Sequence, residues 1–199
     1  PDDIEDRAVK AFPGDVVCGE YSGLVSFLDP ETDYRPFIVV GEQVFNPPGP
    51  RQLAIYCSDD PAAALLAETG VGPFTAQNTE LAKVTADFST LAVALEAYYD
   101  AHSRYPTAEQ TLQQLVTPGK TGRPLRNFPE GGYLQAIPVD PWGEPYRYEE
   151  EQWAGAKGSY RVYTLGSDKA AGGAGTARDV GTELLPYLRH VAGYLGLPQ

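Results

Sequence analysis

The sequence contains no methionine, only two cysteines and two histidines, and far fewer basic than acidic residues. Its apolar runs are short and broken by glycine, proline or charge, so none reaches the roughly 20 residues that a membrane-spanning helix needs. No secretory signal peptide is recognisable at the start. We therefore expect any export or anchoring segment to lie upstream of Pro1.

The shortage of basic residues limits the classes of partner. The chain has 15 Lys and Arg against 27 Asp and Glu, a net charge of -12. Nucleic-acid binding relies on Lys and Arg contacts to phosphate, so this composition argues against it, and it argues equally against binding to anionic lipid. It permits divalent cations, although a well-solvated acidic surface explains the charge without any ligand.

Motifs typical of enzymes are also missing. His102 and His190 are far apart, no G-x-S-x-G motif occurs, and Cys18 and Cys57 lack C-x-x-C spacing. The sequence therefore predicts no catalytic residues. The two cysteines fit either a disulfide or two buried thiols, and the abundance of Tyr, Pro and Gly, typical of a loop-rich exported protein, favours the disulfide.

The most regular stretch is a long amphipathic helix from Asn78 to His102. Its apolar residues recur at alternating steps of three and four, which places them on one face of a helix. Asn78 or Thr79 can cap its start, and Pro106 requires it to stop near Ser103. We expect His102 to be a core-edge residue. The apolar positions before it are Leu81, Val84, Phe88, Leu91, Leu95 and Tyr98.

The residues before this helix form a smaller predicted domain, 1–73. We expect a short helix over 3–12, three strands and a second helix over 60–68. The strands are predicted from β-branched and aromatic runs between turns, at 16–21, 37–45 and 53–57. If they form a meander, the first and third bring Cys18 and Cys57 together.

The second predicted domain, 74–199, begins with the long helix. The alternating runs 146–149 and 159–165 predict an antiparallel hairpin, and a closing amphipathic helix carries Leu184 to Leu195. The segment Asp140-Pro141-Trp142-Gly143 looks like a ligand loop, but we expect a structural role, with Trp142 filling the core from an irregular backbone. The fold class predicted is α+β: a long helix packed on a small antiparallel sheet, preceded by a small helix-plus-meander domain.

Several motifs occur together in a distinctive order. After the helix ending in RYPT come EQTLQQL, a proline-rich segment GGYLQAIPVDPWGEPYRY, and the glycine-rich LGSDKAAGGAGTARDVG. Over about residues 76–181 this order resembles the major pseudopilin of bacterial type II secretion systems, of the G type, in the wider type IV pilin-like class. The resemblance implies a helical spine packed on a small antiparallel sheet.

The resemblance also implies a calcium site in the loop from Leu165 to Asp179. It assigns a backbone carbonyl to Leu165, carboxylates to Asp168 and Asp179, and a hydroxyl or carbonyl to Ser167 and Thr176. Glycine-rich backbone lets carbonyls turn inward toward a cation that prefers six to eight oxygens. Family members commonly carry another acid near position 177, where this chain has Ala177 and Arg178. We expect this change to weaken calcium binding.

The resemblance implies a structural or assembly subunit of a type II secretion or pilus-like apparatus, in the bacterial envelope or outside the cell. The partners that it implies are other pseudopilin or secretion-apparatus subunits, with self-association as a further expectation. The alternative is a soluble periplasmic or cell-surface binding module that uses a borrowed pseudopilin scaffold.

Overall fold

The computed structural model describes residues 5–22, 34–77, 79–119, 128–153 and 155–197. Its elements form two antiparallel sheets and four α-helices within these ranges, an α+β architecture. No helix in them combines the length and apolarity needed to cross a bilayer.

The first four strands form a meander in the order β1-β2-β3-β4. Each strand pairs antiparallel with the next. A register shift in β1 between Arg7 and Lys10 coincides with Ala8 at φ 54°, which marks a bulge. Their bounds are β1, Glu5–Phe12; β2, Val16–Ser22; β3, Arg35–Val40; β4, Gln43–Phe45.

Three predicted elements of this region are wrong. The single strand expected over 37–45 is two strands, β3 and β4, which pair antiparallel across the turn after Val40. The helix expected over 3–12 is β1 in its described part, because pairing along β2 outweighs a weak helical pattern of Ala8 and Phe12. The strand expected at 53–57 is α1, Pro50–Tyr56. Pro50 stands in the first turn, and the Gln52 side chain accepts a hydrogen bond from the Gly49 amide at 2.7 Å, both helix-start features.

The predicted second helix is confirmed as α2, Pro61–Thr69. The Asp60 carboxylate accepts a hydrogen bond from the Ala63 amide at 3.0 Å, and Gly70 closes the helix at φ 73°.

Cys18 and Cys57 form a disulfide. Cys57 follows α1 rather than lying on a third strand, so the bond ties β2 to the end of a helix. The sheet has a small core of its own, to which α1 contributes Tyr56; its members are Val16, Cys18, Ile38 and Tyr56.

The long helix is confirmed as α3, an unbroken helix Thr79–His102. Asn78, the other candidate cap, lies outside the described residues. The helix ends near Ser103, as predicted. Ser103 follows it at φ 55°, and Pro106, three positions further on, disfavours helical backbone at the residue before it. All six predicted apolar positions are buried.

Elements downstream of α3 cover its apolar face. They are a 3₁₀ helix Leu112–Leu115, the sheet β5-β6-β7 and α4, Leu185–Tyr194. The predicted hairpin is β5, Arg147–Glu151, with β6, Ser159–Thr164, and the additional strand β7, Val180–Gly181, pairs with β6. The same core also contains described residues that precede α3 in the chain: Ile55, Leu65, Val71 and Phe74.

Candidate functional site

The predicted ligand residues all lie on the connection between β6 and β7, which we call the 165–179 loop. Thr164 pairs with Val180 in the sheet, so the loop leaves and returns at neighbouring positions. Sequence patterning missed β7 because a two-residue strand carries no periodicity. This strand holds the two ends of the loop together.

Two backbone hydrogen bonds join the opposite arms of the loop, and a third ties the loop to Gly70. The Ser167 amide donates to the Thr176 carbonyl at 2.9 Å, and the Asp179 amide donates to the Gly172 carbonyl at 3.0 Å. The Gly175 amide donates outward, to the Gly70 carbonyl at 3.0 Å. The loop therefore has a defined conformation supported by its own backbone.

Gly166 shows why glycine is needed here. It has φ 72°, and a Cβ at this position would stand 2.7 Å from the Ala177 carbonyl carbon and 2.8 Å from the Thr176 oxygen. No other residue allows the two arms of the loop to approach this closely without a shift.

The base of the loop is anchored by Asp140, whose side chain is 3% exposed. One carboxylate oxygen accepts hydrogen bonds from the amides of Trp142 at 3.0 Å and Glu144 at 2.8 Å. The other accepts from the Thr164 hydroxyl, which in turn accepts from the Gly166 amide at 3.1 Å. Asp140 thus links the proline-rich segment to the first residues of the loop.

The structural role predicted for the proline-rich segment agrees with these contacts. Trp142 packs half-buried against the main core. Sequence analysis nevertheless missed Asp140 as a loop anchor. The signal available was its position in a Pro-Trp-Gly turn, which shows that a turn is present but not which element its carboxylate reaches.

The two predicted carboxylate ligands differ in their surroundings. Asp168 is exposed, and one of its oxygens accepts a hydrogen bond from the Ala170 amide at 3.0 Å in a local turn. Asp179 is half-buried, and its Oδ2 accepts from the Gly172 amide at 3.0 Å. Its Oδ1 is buried and has no hydrogen-bond partner among the residues that the structure describes. A buried carboxylate oxygen without a donor is a costly arrangement that a bound cation would relieve.

The remaining predicted ligands lie beside them. The Ser167 and Thr176 hydroxyl oxygens are 3.3 Å apart, and Leu165 is half-buried at the loop's start. The oxygen types present suit calcium. Across the described ranges, however, no group of three or more His, Cys, Asp and Glu side chains is arranged to hold a metal ion. The calcium site therefore stays a prediction, with backbone carbonyls required to supply most of the ligands.

Known proteins resemble the part of the chain that carries this loop. A family model described as type II secretion system protein G matches residues 75–183, more than half of the sequence. The chain belongs to this family. The match includes α3, the hairpin, the whole 165–179 loop and β7.

Individual relatives support the same assignment. The type II secretion system core protein G of Vibrio cholerae serotype O1 is 43% identical over 99 residues, 50% of this chain and 65% of that protein. The core protein G of Pseudomonas aeruginosa is 38% identical over 115 residues, 56% of this chain and 78% of that protein. The match thus spans only part of these relatives.

Among solved structures, the crystal structure of the major pseudopilin from the type 2 secretion system of enterohaemorrhagic Escherichia coli is 30% identical. The comparison covers 49% of this chain and 80% of that one, with a TM-score of 0.41.

This protein G family member carries two cations in its loop. Lys169 donates to the Glu144 carboxylate at 2.7 Å, so its charge is compensated. Within the described ranges, Arg178 donates a single long hydrogen bond of 3.5 Å, to the Gly173 carbonyl. Its guanidinium borders a groove of about 260 Å³ that also contains Asp179 and Glu183. A cation at this position opposes the binding of another cation to Asp179.

The two histidines of this family member both pack against tyrosine rings. His102 is half-buried at the end of α3, with its Nε2 2.9 Å from the Tyr133 hydroxyl, as expected of a core-edge residue. Burial, and then the charge of Arg104, lower its pKa. His190 is buried in α4 against the Tyr56 ring, with ring centroids 4.9 Å apart.

Proposed function

We propose that the protein is a non-enzymatic structural subunit or interaction component of a type II secretion or type IV pilus-like apparatus in the bacterial envelope. The observation that carries the proposal is the unbroken α3 packed on the downstream sheet, within the region that matches the protein G family. Two relatives are named core proteins of type II secretion systems, and subunit assembly is the role that such a name suggests.

The 165–179 loop is the proposed subunit contact. It projects between two paired strands, its conformation is fixed by backbone hydrogen bonds, and much of its surface is exposed. A contact that is already ordered loses little conformational entropy when a partner binds. The partners proposed are other pseudopilin-type subunits of the apparatus, further copies of this chain included.

Calcium is proposed as a stabiliser of this loop. Asp179 and Asp168 would supply carboxylates, Leu165 a carbonyl, and Ser167 and Thr176 a hydroxyl or carbonyl. The buried, unpartnered Oδ1 of Asp179 supports the proposal. When bound, the ion supplies only charge compensation and cross-linking of loop oxygens.

Calorimetric titration with calcium tests the proposed calcium site in the 165–179 loop. Because Asp179 is the partly buried ligand and Asp168 an exposed one, Asp179→Asn should weaken binding more than Asp168→Asn. Arg178→Ala should tighten binding because it removes the opposing charge. If calcium binds, a free concentration 100 times Kd stabilises the fold by about 2.7 kcal/mol. A melting temperature that is the same in calcium and in chelator would refute calcium binding.

A soluble periplasmic or cell-surface binding module is the second candidate. It is favoured by the disulfide-tied sheet β1–β4, which lies outside the family match. In that case the partner binds the sheet rather than the loop.

Photo-crosslinking in the source bacterium separates the two candidates. A photoreactive amino acid is introduced at Ala174, exposed in the loop, or at Val44, 64% exposed on β4. The subunit proposal expects crosslinks to secretion-apparatus subunits, or to a second copy, from position 174. Crosslinks from position 44 alone would contradict it and support the binding module.

A further inference from the structure

One contact joins the 165–179 loop to residues that lie outside the family match. The Gly175 amide donates to the Gly70 carbonyl at 3.0 Å, and Val71 forms a parallel β-bridge with Gly175. Residues 70–72, which we call the 70–72 segment, precede residue 75, where the match to the family model begins.

The 70–72 segment is itself firmly held. Gly70 caps the end of α2, its amide donating to the Leu66 carbonyl at 2.8 Å. Val71 is fully buried, and its amide donates to the Thr69 hydroxyl at 3.2 Å. The carbonyl offered to the loop is therefore fixed in position by a helix end and by the main core.

Gly175 is fitted closely to this segment. It has φ 63°, and a Cβ there would lie 3.2 Å from the Gly72 carbonyl oxygen. The Arg178 side chain covers the same region, since a Cβ on Gly70 would lie 3.9 Å from its Nε. Arg178 thus lies beside the contact between the loop and the 70–72 segment.

We propose that the 70–72 segment is an intramolecular docking surface that holds the 165–179 loop in its conformation without a metal ion. Backbone pairing needs no cation, and it is made at the side of the loop where the Arg178 side chain lies. Calcium binding then adds stability to a loop that is already formed. Only the loop's role as a subunit contact rests on the proposed function.

Hydrogen–deuterium exchange of the intact wild-type chain in chelator is the first test. The Ser167, Gly175 and Asp179 amides all donate within the loop or to Gly70. Docking predicts that they stay protected when calcium is removed. Rapid exchange of these amides in chelator would overturn the proposal.

Gly175→Ala is the second test. It places a Cβ against the Gly72 carbonyl and strains a left-handed backbone. Exchange in the loop and at the end of α2 should both increase about fivefold or more in chelator, the effect of losing about one hydrogen bond. Gly196→Ala is the matched control, because Gly196 has φ 68° with nothing within 4 Å of its Cβ position. It carries similar strain without the contact.

The outcomes separate docking from the proposed function. Faster exchange in the loop but not at the end of α2 would mean local strain alone, and would refute docking. Equal effects of the two substitutions would refute it too. Crosslinking from Ala174 tests the subunit contact independently, so either proposal can fail while the other stands.

Discussion

Reduction of the Cys18–Cys57 disulfide should separate the stability of the β1–β4 sheet from that of the core around α3. The bond joins β2 to the residue after α1. Apart from the disulfide, α1 contacts the rest of the protein chiefly through Ile55, in the main core, and through Tyr56. The Tyr56 ring centroid lies 5.3 Å from that of Tyr187.

The contribution of the disulfide to the unfolding free energy follows from chain entropy. The two cysteines are 39 positions apart, and closing a loop of that length removes unfolded-state entropy equivalent to about 4 kcal/mol at 25 °C. Among the residues that the structure describes, the sheet's own core has four buried members, Val16, Cys18, Ile38 and Tyr56, with half-buried side chains packed around them. Burying one aliphatic side chain contributes about 1.5–3 kcal/mol, so the bond is equivalent to about two of them. The sheet alone cannot replace that contribution.

Hydrogen exchange resolved along the chain, together with urea denaturation, measures the effect. After reduction, amides in the β2–β3 ladder should exchange much faster, whereas amides in the middle of α3 should keep their protection. The Cys18→Ala/Cys57→Ala variant should reproduce the reduced protein. Adding reductant to this variant should change nothing, which controls for effects of the reagent.

Two results would refute this reasoning. A reduced protein whose unfolding free energy lies within about 1 kcal/mol of the oxidised one would mean that chain entropy is not what the bond contributes. Equal acceleration of exchange in β2 and α3 would mean that the sheet and the α3 core unfold as one unit.

Three further predictions concern the core, a histidine and the loop anchor. Leu91→Ala should lower the unfolding free energy in urea by about 2–5 kcal/mol, because Leu91 is fully buried. Val93→Ala, at a position 69% exposed on the same helix, should cost less than about 0.5 kcal/mol. Burial lowers the pKa of His190 in the folded protein, so as pH falls the unfolded chain takes up a proton on this residue before the folded chain does. The contribution of neutral His190 to the unfolding free energy should therefore be fully present above about pH 6.5 and should decrease as pH is lowered. His190→Gln should flatten this pH dependence in thermal melts. Asp140→Ala should cost about 2–4 kcal/mol in urea, since three donors lose their acceptor, whereas Asp168→Ala should cost less than about 1 kcal/mol.

Local chemistry explains which elements were predictable. The three-four spacing along α3 is long enough to specify a helix by itself, and Ser103 to Pro106 specify its end. The α2 helix has its own cap in Asp60 and its own stop in Gly70. The β5–β6 hairpin follows from strict alternation. In each case the signal lies within the element.

The elements that sequence analysis missed depend on partners distant in the chain. Residues 5–12 have a weak helical pattern, but β2 pairs with them along both halves of β1, on either side of the bulge. Residues 53–57 have strand-like side chains, but the preceding Gly49 and Pro50 begin a helix whose Ile55 enters the main core. Short segments with mixed propensity are decided by what they pack against.

The features of the 165–179 loop likewise fall into those that are local in sequence and those that depend on distant residues. The sequence alone determined that a glycine-rich connection with two carboxylates follows the last long strand, because these residue types and their order are local. Only the tertiary structure decided that Asp140 anchors this loop, that one oxygen of Asp179 is buried without a donor, and that Gly175 pairs with Gly70. These contacts join residues up to about a hundred positions apart, and no local pattern encodes which distant group a side chain or amide will meet.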